Sequence, residues 1–137
     1  MGTNNLKVAF VTDDGTTISQ HFGRAQYYEV VMIENGVIIH RERREKVGHH
    51  TFHSQEEHGE HHGPGHGFDE HSQGKHRMMT ATIVDCQILV ARGMGNGAYQ
   101  HMVSANIKPI ITHNMMIDDA VQEIIKGTIV NHEEKLH

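Results

Sequence analysis

The densest group of metal-ligand side chains is a histidine-rich segment, HHTFHSQEEHGEHHGPGHGFDEHSQGKH, at residues 49–76. It holds nine of the chain's fifteen histidines, with five carboxylates and five glycines. Imidazole suits zinc, copper and nickel, and carboxylate oxygens can complete their coordination. The histidine-rich segment is therefore predicted to bind a divalent transition metal. The predicted ligands are His49, His50, His53, His58, His61, His62, His66, His71 and His76.

A second candidate is the heptapeptide SQHFGRA at residues 19–25. His21 offers a nitrogen ligand, Arg24 offers a permanent positive charge, and Gly23 permits a sharp backbone path. Such a loop is suited to holding an anionic group. The alternative is a structural loop in which Phe22 fills the core while His21 and Arg24 are only hydrated.

The third candidate is a glycine-rich turn, ARGMGNGA, at residues 91–98. With Gly93, Gly95 and Gly97 at alternate positions, backbone N–H groups can point at an anion, and the following helix N-terminus adds partial positive charge. The GxGxG spacing differs from the GxGxxG dinucleotide fingerprint, and no P-loop lysine is present. The turn therefore predicts anion binding without naming a nucleotide. A tight strand-to-helix connection that needs small residues is the alternative.

Two sulfur-containing side chains lie near this turn in the sequence. Met94 stands between two of the glycines in a turn predicted to be exposed, where its thioether would sit beside a bound anion. Cys86 follows Asp85 at a predicted helix-to-strand junction, and we interpret it as a small buried residue rather than a ligand.

A small α/β domain must position these candidates. The chain predicts, in order, a strand, a hairpin closed by Asn35-Gly36, the histidine-rich segment, and then helix, strand, helix, strand and helix. The predicted strands are Lys7–Val11, Tyr28–Ile33, Val37–Arg43, CQILVARG and IKPIIT. The predicted helices are Gln73–Ile83, GNGAYQHMVSA and MIDDAVQEIIKG, the last ending at Gly127.

This order predicts one α/β domain over residues 1–137, with a mixed five-stranded sheet flanked by helices. Its core spans about residues 7–127. The segment 49–76 is predicted to be a disordered insertion with no role in folding, and the polar tail at 128–137 is expected to fray. The strands before SQHFGRA and ARGMGNGA should be parallel neighbours, so His21, Arg24 and the glycine turn are predicted to form one concave site.

Composition excludes several classes of function. The formal net charge is −5, of which the histidine-rich segment carries −4, and no basic patch stands out, so we expect no nucleic-acid partner. No apolar run approaches a membrane span, and the first residues do not have the pattern of a secretory signal. A single cysteine excludes an internal disulfide framework. We therefore expect a cytoplasmic protein without a membrane partner.

The stretches KVAFVTDDGTTISQHFGRAQYYEVV, DCQILVARGMGNGA and DDAVQEIIKG, in this order, resemble the dinitrogenase iron–molybdenum cofactor biosynthesis family of NifX-like domains. The resemblance runs from Lys7 to about Gly127, apart from the histidine-rich segment. It implies a ribonuclease-H-like fold. It also implies the holding or transfer of an iron–molybdenum–sulfur or other molybdenum-containing cluster rather than catalysis, with His21 as a cluster ligand and cluster donor or acceptor proteins as partners.

Three functions remain open from the sequence. The leading one is a non-catalytic carrier of a metal–sulfur cluster. The alternative is a nickel, copper or zinc buffer or chaperone that acts through the histidine-rich segment. The third, a metal-dependent nuclease, needs several convergent carboxylates, and only Asp13 and Asp14 end a strand suitably.

Overall fold

The computed structural model describes residues 5–46 and 80–136 of the chain. The strands are β1 (Asn5–Thr12), β2 (Tyr27–Glu34), β3 (Val37–Glu45), β4 (Ile88–Ala91) and β5 (Lys108–Ile111). The helices are α1 (Asn96–Ser104) and α2 (Ile117–Lys126), and short 3-10 helices occupy Ala81–Ile83 and Glu133–Lys135. The histidine-rich segment lies outside the described residues, so the metal ligands and the insertion predicted there stay predictions.

All five strands form one mixed sheet in the order β3-β2-β1-β4-β5. β1 is antiparallel to β2 and parallel to β4, β2 is antiparallel to β3, and β4 is parallel to β5. The predicted single-domain α/β fold with a mixed five-stranded sheet is therefore confirmed. Since β1, β4 and β5 run in the same direction, the loops that follow them leave the sheet at one common edge.

The two central strands carry the core. Four consecutive residues of β1 are fully buried, Val8, Ala9, Phe10 and Val11. In β4, residues 89–91 are also fully buried. Side chains alternate between the two faces of a strand, so burial of consecutive residues means that both faces are covered. This explains why both strands read as continuous apolar runs in the sequence.

The hairpin between β2 and β3 forms as its turn sequence predicts. Asn35 and Gly36 both take positive φ angles, 54° and 80°. Two such residues in sequence give the tight turn whose twist matches that of paired antiparallel strands. The register then sets Glu34 opposite Val37 next to the turn.

Helix α2 also matches its prediction. Ile117, Ala120 and Val121 are buried, and the half-buried Ile124 and Ile125 pack against the same core. Asp118 and Asp119 lie in the first turn, where a helix favours negative charge. Gly127 ends the helix in the left-handed conformation at φ 76°. None of the helices among the described residues is long and apolar enough to cross a membrane.

Two parts of the chain differ from the prediction. Of the predicted Gln73–Ile83 helix only residues 80–83 are described, and Ala81–Ile83 form a 3-10 turn in which Ile83 is fully buried. The prediction of a frayed tail is wrong for residues 131–136, which are tied to the sheet. His132 N donates to Ile111 O at 2.8 Å, and the Ile111 amide donates to Asn131 Oδ1 at 2.9 Å. One backbone hydrogen bond and one from the Asn131 side chain hold this segment, and hydrophobicity alone does not reveal either.

Candidate functional site

The loop after β1 and the turn after β4 are joined directly at the common edge of the sheet. Phe22 N donates to Gly93 O at 3.1 Å, and Arg92 N donates to Ser19 O at 3.0 Å. A Cβ atom on Gly93 would lie 2.4 Å from Gln20 O, which is closer than real Cβ contacts allow. The structure therefore brings the SQHFGRA loop and the glycine turn together, and Gly93 is needed for this close approach.

Buried groups anchor the SQHFGRA loop to the core. Phe22 is 3% exposed and its ring centroid lies 6.5 Å from that of Tyr28. The buried Lys46 donates a hydrogen bond from Nζ to Phe22 O and places Nζ 4.4 Å from the Phe22 ring centroid. Phe22 therefore fills the core, as the alternative interpretation of this loop predicts. Lys46 is a positioning residue that the sequence did not reveal, because a lysine after a strand is usually exposed.

His21 and Arg24 of this loop are both exposed to solvent. The backbone beneath His21 is fixed, since its amide donates to Ser19 Oγ at 3.1 Å and its carbonyl accepts from Ala25 N at 3.1 Å. Such a residue presents its imidazole to solvent from a defined backbone position. It is therefore accessible to a large ligand that approaches from outside.

The glycine turn leads into the N-terminus of α1. Gly95 is the N-cap residue, in extended conformation, and no side chain of residues 5–46 or 80–136 caps the helix. The first turn of α1 contains no acidic residue. Because the first N–H groups of a helix have no intrahelical partner and carry partial positive charge, this end of α1 favours an anion.

Met94 differs from its predicted position. It is 1% exposed, and its backbone forms a bridge with Leu136 of the C-terminal segment. The side chain is buried, so the predicted exposure of the Met94 thioether is wrong. In this conformation Met94 fills the core.

Arg92 is a cation at this edge that sequence reasoning missed. Its side chain is half-buried, and its Nε is a buried atom with no hydrogen-bond partner among the described residues. A guanidinium with an unused donor is suited to a negatively charged ligand. The signal was present in the sequence, since Arg92 directly precedes Gly93.

The two aspartates after β1 have structural roles. Asp14 Oδ1 accepts from Thr16 N at 2.9 Å and Thr17 N at 2.8 Å. Hydrogen bonds from the Thr17 and Thr16 amides lower the pKa of Asp14 from 3.8 to about 2. Asp13 Oδ1 accepts from Gln26 N at 2.9 Å, which closes the base of the loop. Both carboxylates thus hold the loop that carries His21.

Cys86 lies before β4, at the opposite edge of the sheet from the glycine turn. It is 3% exposed, and burial raises its pKa from 9.0 to about 12. Its predicted status as a small buried residue is confirmed. The ligands available at the loop edge are therefore nitrogen and backbone groups rather than the single thiolate.

Several solved structures share this fold. The chain matches the protein PH0822 with a TM-score of 0.62 and 21% identity, covering 93% of this chain and 95% of that one. It matches the apo form of the orange protein from Desulfovibrio gigas with a TM-score of 0.59 and 16% identity, covering 90% of each chain. It matches TM1290 from Thermotoga, a protein of the DUF35 family, with a TM-score of 0.56 and 18% identity, covering 92% of each chain.

A search of curated proteins gave no match. The model of the family described as dinitrogenase iron-molybdenum cofactor matches residues 4–127. That range includes both loops of the candidate site and all elements from β1 to α2. The chain therefore belongs to the dinitrogenase iron–molybdenum cofactor family.

Proposed function

We propose that this protein holds a preformed metal–sulfur cluster at the edge formed by the SQHFGRA loop and the glycine turn, and passes it on without catalysing a reaction. The cluster is an iron–molybdenum–sulfur cluster, another molybdenum-containing cluster, or a precursor of one. The single observation that carries the proposal is the bond between Phe22 N and Gly93 O, because it joins the loop of the exposed His21 to the glycine turn at the uncapped start of α1.

The donor set fits such a cargo. Metal–sulfur clusters are anionic and soft, and this edge combines an imidazole, two guanidinium groups and backbone N–H donors. His21 supplies a metal ligand, and Arg24 and Arg92 supply positive charge. Within the glycine turn, residues 93–97 supply backbone N–H groups. The carboxylates of Asp13 and Asp14 are used within the loop, so they do not form a site for hard cations.

Release is as necessary as binding for a carrier. Cys86 is buried at the other edge, so His21 is the side chain best placed to ligate a cluster metal. One imidazole and a set of hydrogen bonds hold a cluster less tightly than a cage of cysteine thiolates does. Proteins that donate or accept the cluster would approach the same exposed edge. The ribonuclease-H-like label for the fold stays a prediction from the family resemblance.

Anaerobic reconstitution tests this function. The full chain is mixed with an isolated iron–molybdenum–sulfur cluster and desalted, and iron and molybdenum are then measured. We expect His21→Ala to lose at least about tenfold in cluster affinity. Replacing a residue that binds the metal directly should weaken binding at least as much as replacing a residue that only hydrogen-bonds to a ligand. His40→Ala is the matched control, since His40 is also exposed but lies in the edge strand β3. Equal retention by His21→Ala and the native chain would refute the assignment.

The histidine-rich segment supports a second candidate, a nickel, copper or zinc buffer or chaperone. Nine histidines within 28 residues provide several alternative sets of three or four imidazoles. Equilibrium dialysis against these metals would compare the native chain with a full-length variant carrying Asn at all nine positions. We expect the variant to lose most of the bound metal. If it binds as much metal as the native chain, this candidate is wrong.

A further inference from the structure

Three metal-ligand side chains meet at the same end of the sheet as the proposed cluster site, but they lie beside β5 and not on the two loops of that site. His113 lies two residues beyond the end of β5, and His132 and Glu134 belong to the C-terminal segment beside that strand. The backbone holds the two parts together, because His132 N donates to Ile111 O at 2.8 Å. A second hydrogen bond holds the same segment, because the Asn131 side chain accepts from Ile111 N at 2.9 Å.

The three side chains are arranged compactly. The imidazoles of His113 and His132 are stacked, with ring centroids 3.6 Å apart and planes 8° from parallel. His132 Nδ1 lies 3.0 Å from Glu134 Oε2. One ligand atom from each of the three residues lies within 4.8 Å of the other two.

We propose that His113, His132 and Glu134 form a binding site for one divalent transition-metal ion of the zinc, cobalt, nickel and copper group. Two imidazoles and one carboxylate are the ligand types this group prefers, whereas calcium and magnesium prefer oxygen ligands. Three protein ligands leave at least one coordination position for water or another ligand. The site is separate from the proposed cluster function, since it contains neither His21 nor the glycine turn.

Metal binding requires only side-chain motion. Metal–ligand bonds of about 2 Å place ligand atoms roughly 3–3.5 Å apart, so atoms that now lie within 4.8 Å of one another must draw together by at most roughly 1.5 Å. The stacked rings must also tilt to aim their lone pairs at one ion. Both changes are possible because His113 is exposed and the side chains of His132 and Glu134 are 25% and 68% exposed.

A bound ion would clamp the C-terminal segment to the end of β5. Such an ion binds the folded chain and not these three residues when they are dispersed, so it stabilises the fold by mass action. The same segment covers the glycine turn through the Leu136 bridge to Met94. A metal ion bound at this site would therefore also stabilise the contact between the C-terminal segment and the glycine turn.

The test uses the full chain with Asn at the nine histidines of 49–76, so that the histidine-rich segment does not compete for the probe. Zinc binding to this parent is measured by calorimetry, and Co²⁺-induced broadening of the amide signals of residues 111–113 and 131–134 locates the ion. The parent is compared with His113→Asn and Glu134→Gln. His40→Asn is the matched control, because His40 and Glu42 repeat the two-residue spacing and the 3.0 Å contact of His132 and Glu134, and no second imidazole among the described residues completes a group with them.

We expect the parent to bind one zinc ion, and His113→Asn and Glu134→Gln to weaken binding at least about tenfold. His40→Asn should bind as the parent does. The proposal is overturned if zinc binds with a Kd weaker than about 1 mM, or if His113→Asn equals the parent. It is also overturned if His40→Asn loses as much affinity, or if the broadening is centred elsewhere. Melting curves with chelator identify any misfolded variant, and in that event the other substitution decides.

Discussion

Phe22 N donates a hydrogen bond to Gly93 O at 3.1 Å, and this contact joins the loop after β1 to the turn after β4. His21 is the residue just before Phe22, so its backbone is held by the fold while its side chain remains exposed. A ligand that contacts both His21 and the glycine turn would therefore meet a preorganised surface.

Gly93→Ala should destabilise the fold. The added methyl would lie 2.4 Å from Gln20 O, a backbone atom that cannot move without parting the two loops. Overpacking of this kind costs about 1–3 kcal/mol, which urea denaturation can measure.

The control is Gly23→Ala in the neighbouring loop. Apart from its chain neighbours, none of the described residues has an atom within 4 Å of the Cβ position at Gly23, so its effect should stay within about 0.5 kcal/mol. Equal destabilisation by the two substitutions would mean that the close approach at Gly93 is not what holds the loops.

The parts of the fold that are determined locally could be predicted from the sequence. The Asn35-Gly36 turn, the buried runs of β1 and β4, and the end of α2 at Gly127 all depend on a few neighbouring residues. The meeting of the two loops also followed from the sequence, because parallel neighbouring strands end at one edge.

Contacts between distant residues could not be predicted in this way. Met94 is buried, and its backbone pairs with Leu136, which follows it by more than forty residues. Lys46 is buried because its amine reaches Phe22 O across the loop. No periodicity or turn signal encodes either contact, so sequence patterns placed Met94 at the surface and left Lys46 unnoticed.

Lys46→Met should also destabilise the fold, although it removes a buried charge. The methionine keeps the apolar stem, but it removes the donor to Phe22 O and the cation held over the Phe22 ring. A buried carbonyl without its donor costs about 1–3 kcal/mol. We expect a loss of this size in urea denaturation, with faster hydrogen exchange at Ala25 N, which bonds to His21 O.

Lys108→Met at the exposed start of β5 is the control, and its effect should stay within about 0.5 kcal/mol. A Lys46→Met protein more stable than the native one would show that the desolvation of the ammonium group outweighs its hydrogen bond.

The thiol of Cys86 should be unreactive in the native protein. Burial raises its pKa from 9.0 to about 12, so little thiolate is present at pH 8. Iodoacetamide labelling followed by mass spectrometry should therefore be slow in buffer and complete in urea. In addition, Cys86→Ser should retain a reconstituted cluster as well as the native chain does. Rapid labelling of the folded protein, or loss of the cluster from Cys86→Ser, would show that the thiol is accessible or is a ligand.

Acid should weaken the junction between β1, β3 and the turn before β4. Asp85 accepts two hydrogen bonds from Arg44, at 2.7 and 3.2 Å, and one from Lys7 at 3.0 Å. The Arg44 bonds, supported by Lys7, hold the pKa of Asp85 well below its ordinary value of 3.8. A carboxyl group with a lowered pKa in the folded state stabilises the fold fully above its ordinary value and loses that contribution as the pH falls below it.

Asp85→Asn should therefore reduce stability at pH 7 and make the remaining stability depend less on pH between 5 and 2. The dependence will not vanish, because Asp14 and Glu42 also have lowered pKa values. Asp119→Asn removes a carboxylate that forms no ion pair with the described residues, and it should leave the pH dependence nearly native. Urea denaturation at several pH values measures both effects. If Asp85→Asn shows the same dependence on pH as the native chain, the Asp85 ion pairs do not contribute to folding.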